Sequence, residues 1–393
     1  MNDNTLGQIG AGLEGSILGR LLSMKIRPFR IEEYFAKYEF SAKYLMGSSD
    51  MESREVRELF ALEPGAQEKF LGQWCGYTES AGAPELRETV AGIYKDIAPE
   101  NTFIISCAEE AIFVLYHALV GADDHVIVEA PCYESGLEVA RSTGAAVSEW
   151  RRRGEDGWAH DVAALRKLIQ PNTNAMYINT PHNPTGLIMP RGVFDEVMQI
   201  AREHNIIVIC DEVYRELEHD PAMRLPAGCE VNENAVSLGS MSKTYGLAGL
   251  RLGWLVTRDP KIIQKCLDFR YYTTISNSAP SEFLSALALR HRDVLVKRNL
   301  EIVHRNLALL SAFFEKRGEL FSWVKPNGSP IGFVKFGGKG GALEFCEDLV
   351  QKAGVMLLPG TVYDEPKYMR FGYGRKNMPE ALGKLEEYLQ VGA

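Results

Sequence analysis

Short apolar runs that alternate with helical patterns constrain the fold of this chain more than any other feature, from about Leu86 to Asn277. The apolar runs lie at 103–105, 125–128, 175–178 and 206–210. Helical patterns such as 162–168 and 191–204 separate them. Strands that alternate with helices predict an α/β fold with a doubly wound, mostly parallel sheet.

After about Lys316 the pattern changes, and it predicts a smaller α+β domain. Long helical patterns at 260–272 and 294–314 precede this change. Beyond it, strand patterns lie at 321–324, 332–336 and 368–371, with helical patterns at 342–353 and 380–389.

Distinctive polar residues follow the predicted strands. The run 206–210 ends at Asp211, the run 175–178 leads into a Pro- and Gly-rich turn with Asn183, and a third strand end precedes Lys243. Ligands of open α/β sheets bind outside the carboxyl ends of the strands. We therefore expect these three side chains to share one crevice.

The surroundings of Lys243 suggest which ligand this crevice holds. Ser240 and Ser242 flank the lysine, and a Gly-punctuated turn with Arg251 follows it. A lysine amine can bind an aldehyde covalently as a Schiff base, while hydroxyl groups and an arginine hold a phosphate. The stretch is therefore suited to a phosphorylated aldehyde.

In the order and spacing of these motifs, the chain resembles the fold-type I, pyridoxal phosphate (PLP)-dependent aminotransferases of classes I and II. The resemblance extends from about Glu32 to the C-terminus. It implies PLP as the cofactor, whereas the Gly-rich composition of 1–19 itself predicts a flexible leader. It also implies an N-terminal segment at 20–55 that joins a small domain at 290–393, and a large PLP-binding domain at 56–289.

The resemblance assigns a catalytic role to three residues. Lys243 carries the cofactor as a Schiff base and then moves the substrate proton, and Asp211 keeps the pyridine nitrogen protonated. Tyr214, together with Asn183, hydrogen-bonds the phenolic oxygen of the cofactor. Tyr133 matches the aromatic residue that stacks on the ring.

The same resemblance implies how the phosphate is held. The expected contacts are the backbone N–H groups of Ala108 and Glu109 at a helix start and the side chains of Ser240, Ser242 and Arg251. Cys107 departs from the family pattern, which often has glycine there, and Glu109 brings a negative side chain close to the phosphate. Tyr77 resembles the tyrosine that reaches the phosphate of a partner subunit, so we expect a homodimer with shared active sites.

Arg370 matches the arginine that binds the substrate α-carboxylate in a bidentate fork. With Asn183 it implies an aminotransferase that moves an amino group between an L-amino acid and a 2-oxo acid. A second interpretation comes from 31–38 and 47–50, which are similar to capreomycidine synthase-type PLP enzymes. These act on hydroxylated arginine-like amino acids by elimination and cyclisation, and Glu32 would then bind the guanidinium of the substrate.

Other function classes are disfavoured by motif and composition. Residues 10–15 satisfy the dinucleotide pattern GxGxxG, but no hydrophobic strand precedes them. No basic helix-turn-helix pattern precedes Glu32, and the formal net charge of -9 argues against nucleic-acid or anionic-membrane binding. The seven cysteines form no CxxC pair, which predicts reduced thiols, no metal site and a cytoplasmic location.

Overall fold

The computed structural model describes residues 26–391. Its strands are β1 (Tyr44–Leu45), β2 (Thr102–Ile105), β3 (His125–Ala130), β4 (Ala146–Arg151), β5 (Thr173–Asn179), β6 (Ile207–Asp211), β7 (Ala235–Ser240), β8 (Gly253–Thr257), β9 (Phe321–Trp323), β10 (Ile331–Phe336), β11 (Val355–Met356), β12 (Leu358–Pro359) and β13 (Tyr368–Gly372). Its helices are α1 (Arg30–Tyr38), α2 (Val56–Phe60), α3 (Ala66–Leu71), α4 (Pro84–Ala91), α5 (Ala108–Leu119), α6 (Glu134–Ser142), α7 (Val162–Leu168), α8 (Arg191–His204), α9 (Gly228–Val231), α10 (Pro260–Arg270), α11 (Ala279–Arg290), α12 (Arg292–Lys316), α13 (Ala342–Ala353) and α14 (Met378–Val391).

A seven-stranded sheet with the order β2-β8-β7-β6-β5-β3-β4 forms the centre of the molecule. Only β8 in this sheet runs antiparallel to its neighbours, and the other pairs are parallel. In the β5–β6 pair, Asn179 lies opposite Asp211, which brings two strand ends to one edge. The predicted α/β fold with a mostly parallel sheet is confirmed.

Both faces of the sheet are buried, as its continuous apolar runs predict. Within β3, Val126 and Val128 pack into one hydrophobic core, whereas Ile127 between them packs into another. Successive side chains of a strand point to opposite faces. The cores on the two faces therefore give the doubly wound arrangement.

A four-stranded antiparallel sheet with the order β12-β13-β10-β9 forms in the C-terminal part of the chain. Beside it, β1 from the N-terminal segment pairs in parallel with β11. We propose that the domain boundaries lie at 55/56 and 289/290. The expected leader at 1–19 and the GxGxxG pattern lie outside the described residues.

The predicted helices 162–168, 191–204 and 342–353 are confirmed with those bounds. The helix predicted at 260–272 ends at Arg270, and α12 starts two residues before the predicted 294. No helix in the described part of the chain is long and apolar enough to cross a membrane.

Candidate active site

A cavity of about 540 Å³ opens at the carboxyl ends of the central strands. Of the residues predicted for the site, those that line it are Glu32, Ala108, Glu109, Tyr133, Asn183, Asp211, Tyr214, Ser240, Ser242, Lys243, Arg251 and Arg370. The cavity thus collects residues from strand ends that are far apart in sequence, as parallel strands with helical crossovers require. Tyr77 is the one predicted residue that does not line it.

Lys243 lies three residues beyond the end of β7, in a tight turn. Gly246 closes the turn with a φ of +67°, and a Cβ there would lie 2.8 Å from the carbonyl oxygen of Glu52. The Lys243 Nζ donates a hydrogen bond to Ser49 Oγ at 2.9 Å. Burial lowers the pKa of Lys243, which favours the neutral amine that a nucleophile and proton carrier needs.

Asp211 ends β6 and is 7% exposed. Its Oδ2 accepts a hydrogen bond from the Tyr177 hydroxyl at 2.6 Å, and its Oδ1 accepts one from the backbone N–H of Val213 at 3.2 Å. Burial raises the pKa of this carboxyl, although the Tyr177 hydrogen bond opposes the shift. Within the described chain this carboxylate forms no ion pair, and a cationic ring nitrogen would supply the positive charge.

Arg370 in β13 is 1% exposed and tied to its surroundings by four hydrogen bonds. Its Nε and Nη2 both donate to the backbone carbonyl of Gly47, and its Nη1 donates to Asn183 Oδ1 and the Tyr363 hydroxyl. Because a guanidinium has five N–H donors, these four bonds leave one for a ligand in the cavity, one fewer than the expected bidentate fork needs. The same contacts orient the Asn183 side chain, whose Oδ1 also accepts from Tyr363 at 3.0 Å.

Tyr214 follows β6 and is 1% exposed; its hydroxyl makes no well-aligned hydrogen bond within residues 26–391, and the Ser49 side chain is the hydroxyl group that acts on its pKa. Burial raises its pKa above the ordinary value, so the hydroxyl stays protonated and able to donate. Tyr133 reaches the cavity just before α6, and its hydroxyl donates to Glu32 Oε1 at 2.9 Å. That contact joins the N-terminal helix α1 to the large sheet.

The start of α5 meets the end of β7 at one side of the cavity. Cys107 caps the helix in an extended conformation with a φ of -171°, which any residue adopts, so glycine is not required there. Its Sγ accepts from the N–H of Glu110, and the N–H groups of Ala108 and Glu109 have no partner in the described chain. Two such N–H groups at a helix N-terminus could hold an anion.

Hydroxyl groups and a cation complete this side of the cavity. Ser240 Oγ lies 3.0 Å from Ser242 Oγ, and both side chains line the cavity. Arg251 follows a short turn at 248–250 in the left-handed conformation, with a φ of 48°. Such a conformation is unfavourable for a residue with a Cβ, and it recurs where a side chain must be aimed at a ligand.

Carboxyl groups also line the cavity. Glu32 and Glu39 from the N-terminal segment, and Glu109 at the start of α5, form no ion pair within the described chain. Burial raises the pKa of Glu39, and the charges of Asp50 and Glu32 raise it further. Burial also raises the pKa of Glu109 to about 7. Asp50, in contrast, is paired with Arg375 through two contacts of 3.1 and 2.9 Å.

Comparison with known proteins places this geometry in a family. The sequence pattern of "Aminotransferase class I and II" matches residues 45–385. The chain belongs to the class I and II aminotransferase family. It is 30% identical to capreomycidine synthase of Streptomyces vinaceus over 372 residues, which cover 92% of this chain and 94% of that protein. It is 28% identical to a probable aspartate/prephenate aminotransferase of Thermus aquaticus, covering 80% and 84% of the two chains.

Solved structures agree with this assignment to the aminotransferase family. A PLP-dependent aminotransferase from Streptococcus suis 89-1591 is similar with a TM-score of 0.89 and 32% identity, covering 94% of this chain and 99% of that one. The PLP-dependent cyclase OrfR is similar with a TM-score of 0.86 and 25% identity, covering 95% and 100%.

Pyridoxal 5′-phosphate is the cofactor of this family member, and the cavity suits it chemically. The unpaired N–H groups of α5 match a phosphate, and the buried carboxylate of Asp211 matches a pyridinium nitrogen. The hydroxyl of Tyr214, which makes no well-aligned hydrogen bond in the described chain, can donate to the phenolic oxygen.

Several residues at the site were not predicted. Tyr177 binds Asp211, Tyr363 binds both Asn183 and Arg370, and Ser49 binds Lys243. The alternation along β5 could have found Tyr177, because Tyr177 and Asn179 lie on the same face of the strand. No local signal marks Tyr363 or Ser49, since each reaches the site only when the C-terminal part of the chain and the N-terminal segment pack onto the large sheet.

Proposed function

We propose that this protein is a PLP-dependent aminotransferase that moves an amino group between an L-amino acid and a 2-oxo acid. The observation that carries the proposal is the meeting of Lys243, Asp211 and Arg370 in one cavity. They supply an amine, an acid for the pyridine nitrogen and a guanidinium for the α-carboxylate. The bound cofactor supplies the electron sink for the carbanion at the substrate Cα.

In this proposal, Lys243 transfers the Cα proton. Its lowered pKa leaves the amine able to accept that proton near neutral pH, and Ser49 Oγ at 2.9 Å holds the amine after it is released from the cofactor. Asp211 holds the ring nitrogen, and Tyr214 and Asn183 donate to the phenolic oxygen. With Oδ1 of Asn183 occupied by Arg370 and Tyr363, its amide nitrogen is the group left to donate.

The phosphate would lie between the start of α5 and the end of β7. Ala108 and Glu109 would donate their backbone N–H groups, and Ser240, Ser242 and Arg251 their side chains. The raised pKa of Glu109 reduces the repulsion that its side chain would exert on a phosphate. Tyr133, on the cavity wall before α6, is placed to pack against the cofactor ring.

Arg370 would bind the substrate α-carboxylate in the proposed enzyme. The carbonyl of Gly47 and the Asn183 side chain fix its guanidinium plane, so the remaining donor points in a set direction. A lysine at this position could not bond these groups and a carboxylate at once.

The substrate side chain should carry a positive charge. With Lys243, Arg251 and Arg370 assigned to the cofactor and the α-carboxylate, the carboxyl groups of Glu32 and Glu39 remain without an ion-pair partner in the described chain. A substrate ammonium or guanidinium group would neutralise them, whereas a second carboxylate would be repelled.

The position of Glu32 also favours a second candidate function. Glu32 lines the cavity and hydrogen-bonds Tyr133, as a binding group for a guanidinium could. Capreomycidine synthase and a PLP-dependent cyclase are among the similar proteins. The alternative is therefore elimination and cyclisation of a hydroxylated arginine-like amino acid on the same cofactor.

Single-turnover reactions distinguish the two candidates. The purified, PLP-loaded protein is mixed with one amino acid at a time, without a 2-oxo acid, from a panel that includes arginine and hydroxyarginines. Loss of the cofactor absorbance with release of one 2-oxo acid supports transamination. Consumption of substrate with an unchanged cofactor spectrum, and a product lighter by one water, supports cyclisation. If no amino acid changes either readout, both candidates fail.

A homodimer with shared active sites forms part of the proposal. Tyr77 is 84% exposed and lies outside the cavity, and Trp74, Tyr272 and Phe40 are also largely exposed. In a dimer, these side chains would be covered by the second copy, and Tyr77 would reach the partner's phosphate. Light scattering should then give the dimer mass, and a Tyr77→Ala variant should bind PLP more weakly while remaining folded.

The cytoplasm is the proposed location of the enzyme. All seven cysteines lie in the described part of the chain, and they are free. Reduced thiols are typical of that compartment.

A further inference from the structure

Asn179 forms a bridge beneath the cavity between the two proposed cofactor contacts Asn183 and Asp211. Its Oδ1 accepts a hydrogen bond from the backbone N–H of Asn183 at 2.6 Å, and its Nδ2 donates to the backbone carbonyl of Asp211 at 2.9 Å. Asn179 is 4% exposed and does not line the cavity. It therefore acts on the two residues without contacting the cofactor.

The bridge is the end of a buried, charged network. The backbone N–H of Asn179 donates to Glu129 Oε2 at 3.0 Å, and Glu129 Oε1 accepts from Arg152 Nη1 at 3.1 Å. His160 Nε2 lies 2.9 Å from the same oxygen. The side chains of Glu129 and Arg152 are 1% and 3% exposed, so this ion pair is fully removed from solvent.

The charge on Glu129 is retained in spite of its burial. Burial alone would raise the pKa of Glu129, but the His160 hydrogen bond and the Arg152 charge bring it below the ordinary value. Neither Glu129 nor Arg152 lines the cavity. A buried ion pair contributes little stability compared with apolar residues of the same size, so its presence directly behind a binding site suggests a positioning role.

We infer that Asn179, held by the Glu129–Arg152 ion pair, is a positioning residue that fixes Asn183 and Asp211 relative to each other. Both would contact the cofactor ring, one at the phenolic oxygen and the other at the ring nitrogen. The register of β5 and β6 supports this inference, because it places Asn179 directly opposite Asp211. The inference rests on the proposed function, since that proposal supplies the roles of Asn183 and Asp211.

Asn232 offers a matched control for the test. Its Nδ2 donates to the backbone carbonyl of Met198 at 3.2 Å, and its Oδ1 accepts from the backbone N–H of Asn234 at 2.9 Å. It is 1% exposed and precedes β7, at the edge of the sheet away from the cavity. Asn179 and Asn232 thus bridge the same two kinds of backbone group, and only Asn179 does so at the site.

The experiment compares Asn179→Ala with Asn232→Ala. For each, we would measure the melting temperature of the cofactor-free protein, the dissociation constant of PLP and the pH midpoint of the visible absorbance of bound PLP. Both variants should melt earlier. Only Asn179→Ala should raise the PLP dissociation constant, by about tenfold, and shift the pH midpoint. The inference is overturned if Asn179→Ala leaves both cofactor readouts unchanged, or if Asn232→Ala alters them equally.

Further variants separate this inference from the proposed function. Asp211→Asn and Asn183→Ala should change the pH midpoint directly. If neither does, the proposed function is wrong; if both do and Asn179→Ala does not, only the positioning role is wrong. Should Asn179→Ala not fold, Asn179→Asp keeps the side-chain volume and the acceptor and removes the donor. It should then show the same two shifts, and unchanged values would count against the inference.

Discussion

Replacing Tyr214 with phenylalanine should weaken the binding of PLP and leave the stability of the cofactor-free protein almost unchanged. Tyr214 lines the cavity, and its hydroxyl makes no well-aligned hydrogen bond within residues 26–391. Phenylalanine therefore keeps the ring packing and breaks no strong contact. With an unfolding entropy of about 2 cal/mol/K per residue, a change in the free energy of unfolding below about 0.5 kcal/mol moves the melting temperature by less than about 1 °C.

With PLP bound, the same substitution removes a donor to the phenolic oxygen. Hydrogen bonds to charged groups contribute about 1.5–3 kcal/mol, so the PLP dissociation constant should rise by about 10- to 100-fold. Calorimetry of the cofactor-free protein and a PLP titration measure the two effects. Tyr177→Phe is the control, because its hydroxyl already has Asp211 as a partner at 2.6 Å. That variant should destabilise the cofactor-free protein, and a similar loss in Tyr214→Phe would refute the reasoning.

Three further predictions concern the cavity. Lys243→Ala should abolish turnover and the visible absorbance of lysine-bound PLP, and retained turnover would disprove its role. Arg370→Lys should raise the KM for the amino acid at least tenfold and the PLP dissociation constant by a smaller factor, since Asn183 loses one of its partners, and steady-state kinetics with a PLP titration would show both. The pKa of Glu109 is raised from 4.5 to about 7, so the unfolded state ionises at lower pH than the folded state. The cofactor-free protein should therefore lose stability as the pH rises from 4.5 to 7. Denaturation of Glu109→Gln should lack this loss, and an unchanged pH profile would contradict the shift.

The residues of the site that could be predicted from sequence are those whose positions follow from their neighbours along the chain. Three local patterns predict where a side chain lies relative to the sheet. They are a strand that ends in an acid, a turn that follows a strand, and a lysine between hydroxyl residues. This is why Asp211, Asn183 and Lys243 were expected at one edge of the sheet, and the structure places them in one cavity. Their chemical roles stay predictions until the variants above are measured.

The remainder depends on how separate parts of the chain pack against each other. The carbonyl that holds Arg370 belongs to Gly47, 323 positions earlier. Every residue has a backbone carbonyl, so a sequence pattern cannot indicate which one accepts this bond. The partner of Lys243 at Ser49 likewise becomes visible only after the N-terminal segment packs beside β7. The expected role of Tyr77 depends on a second copy of the chain, because its side chain lies outside the cavity of its own chain.

Residues 31–50 lie ahead of every strand of the central sheet, yet they reach both parts of the site. Glu32 and Glu39 line the cavity, while Ser49 and Gly47 hold Lys243 and Arg370. The same twenty positions therefore carry the charge of the cavity and the placement of its reacting groups. A graft of this segment onto a relative should transfer both together, so the charge preference should not change without a change in rate.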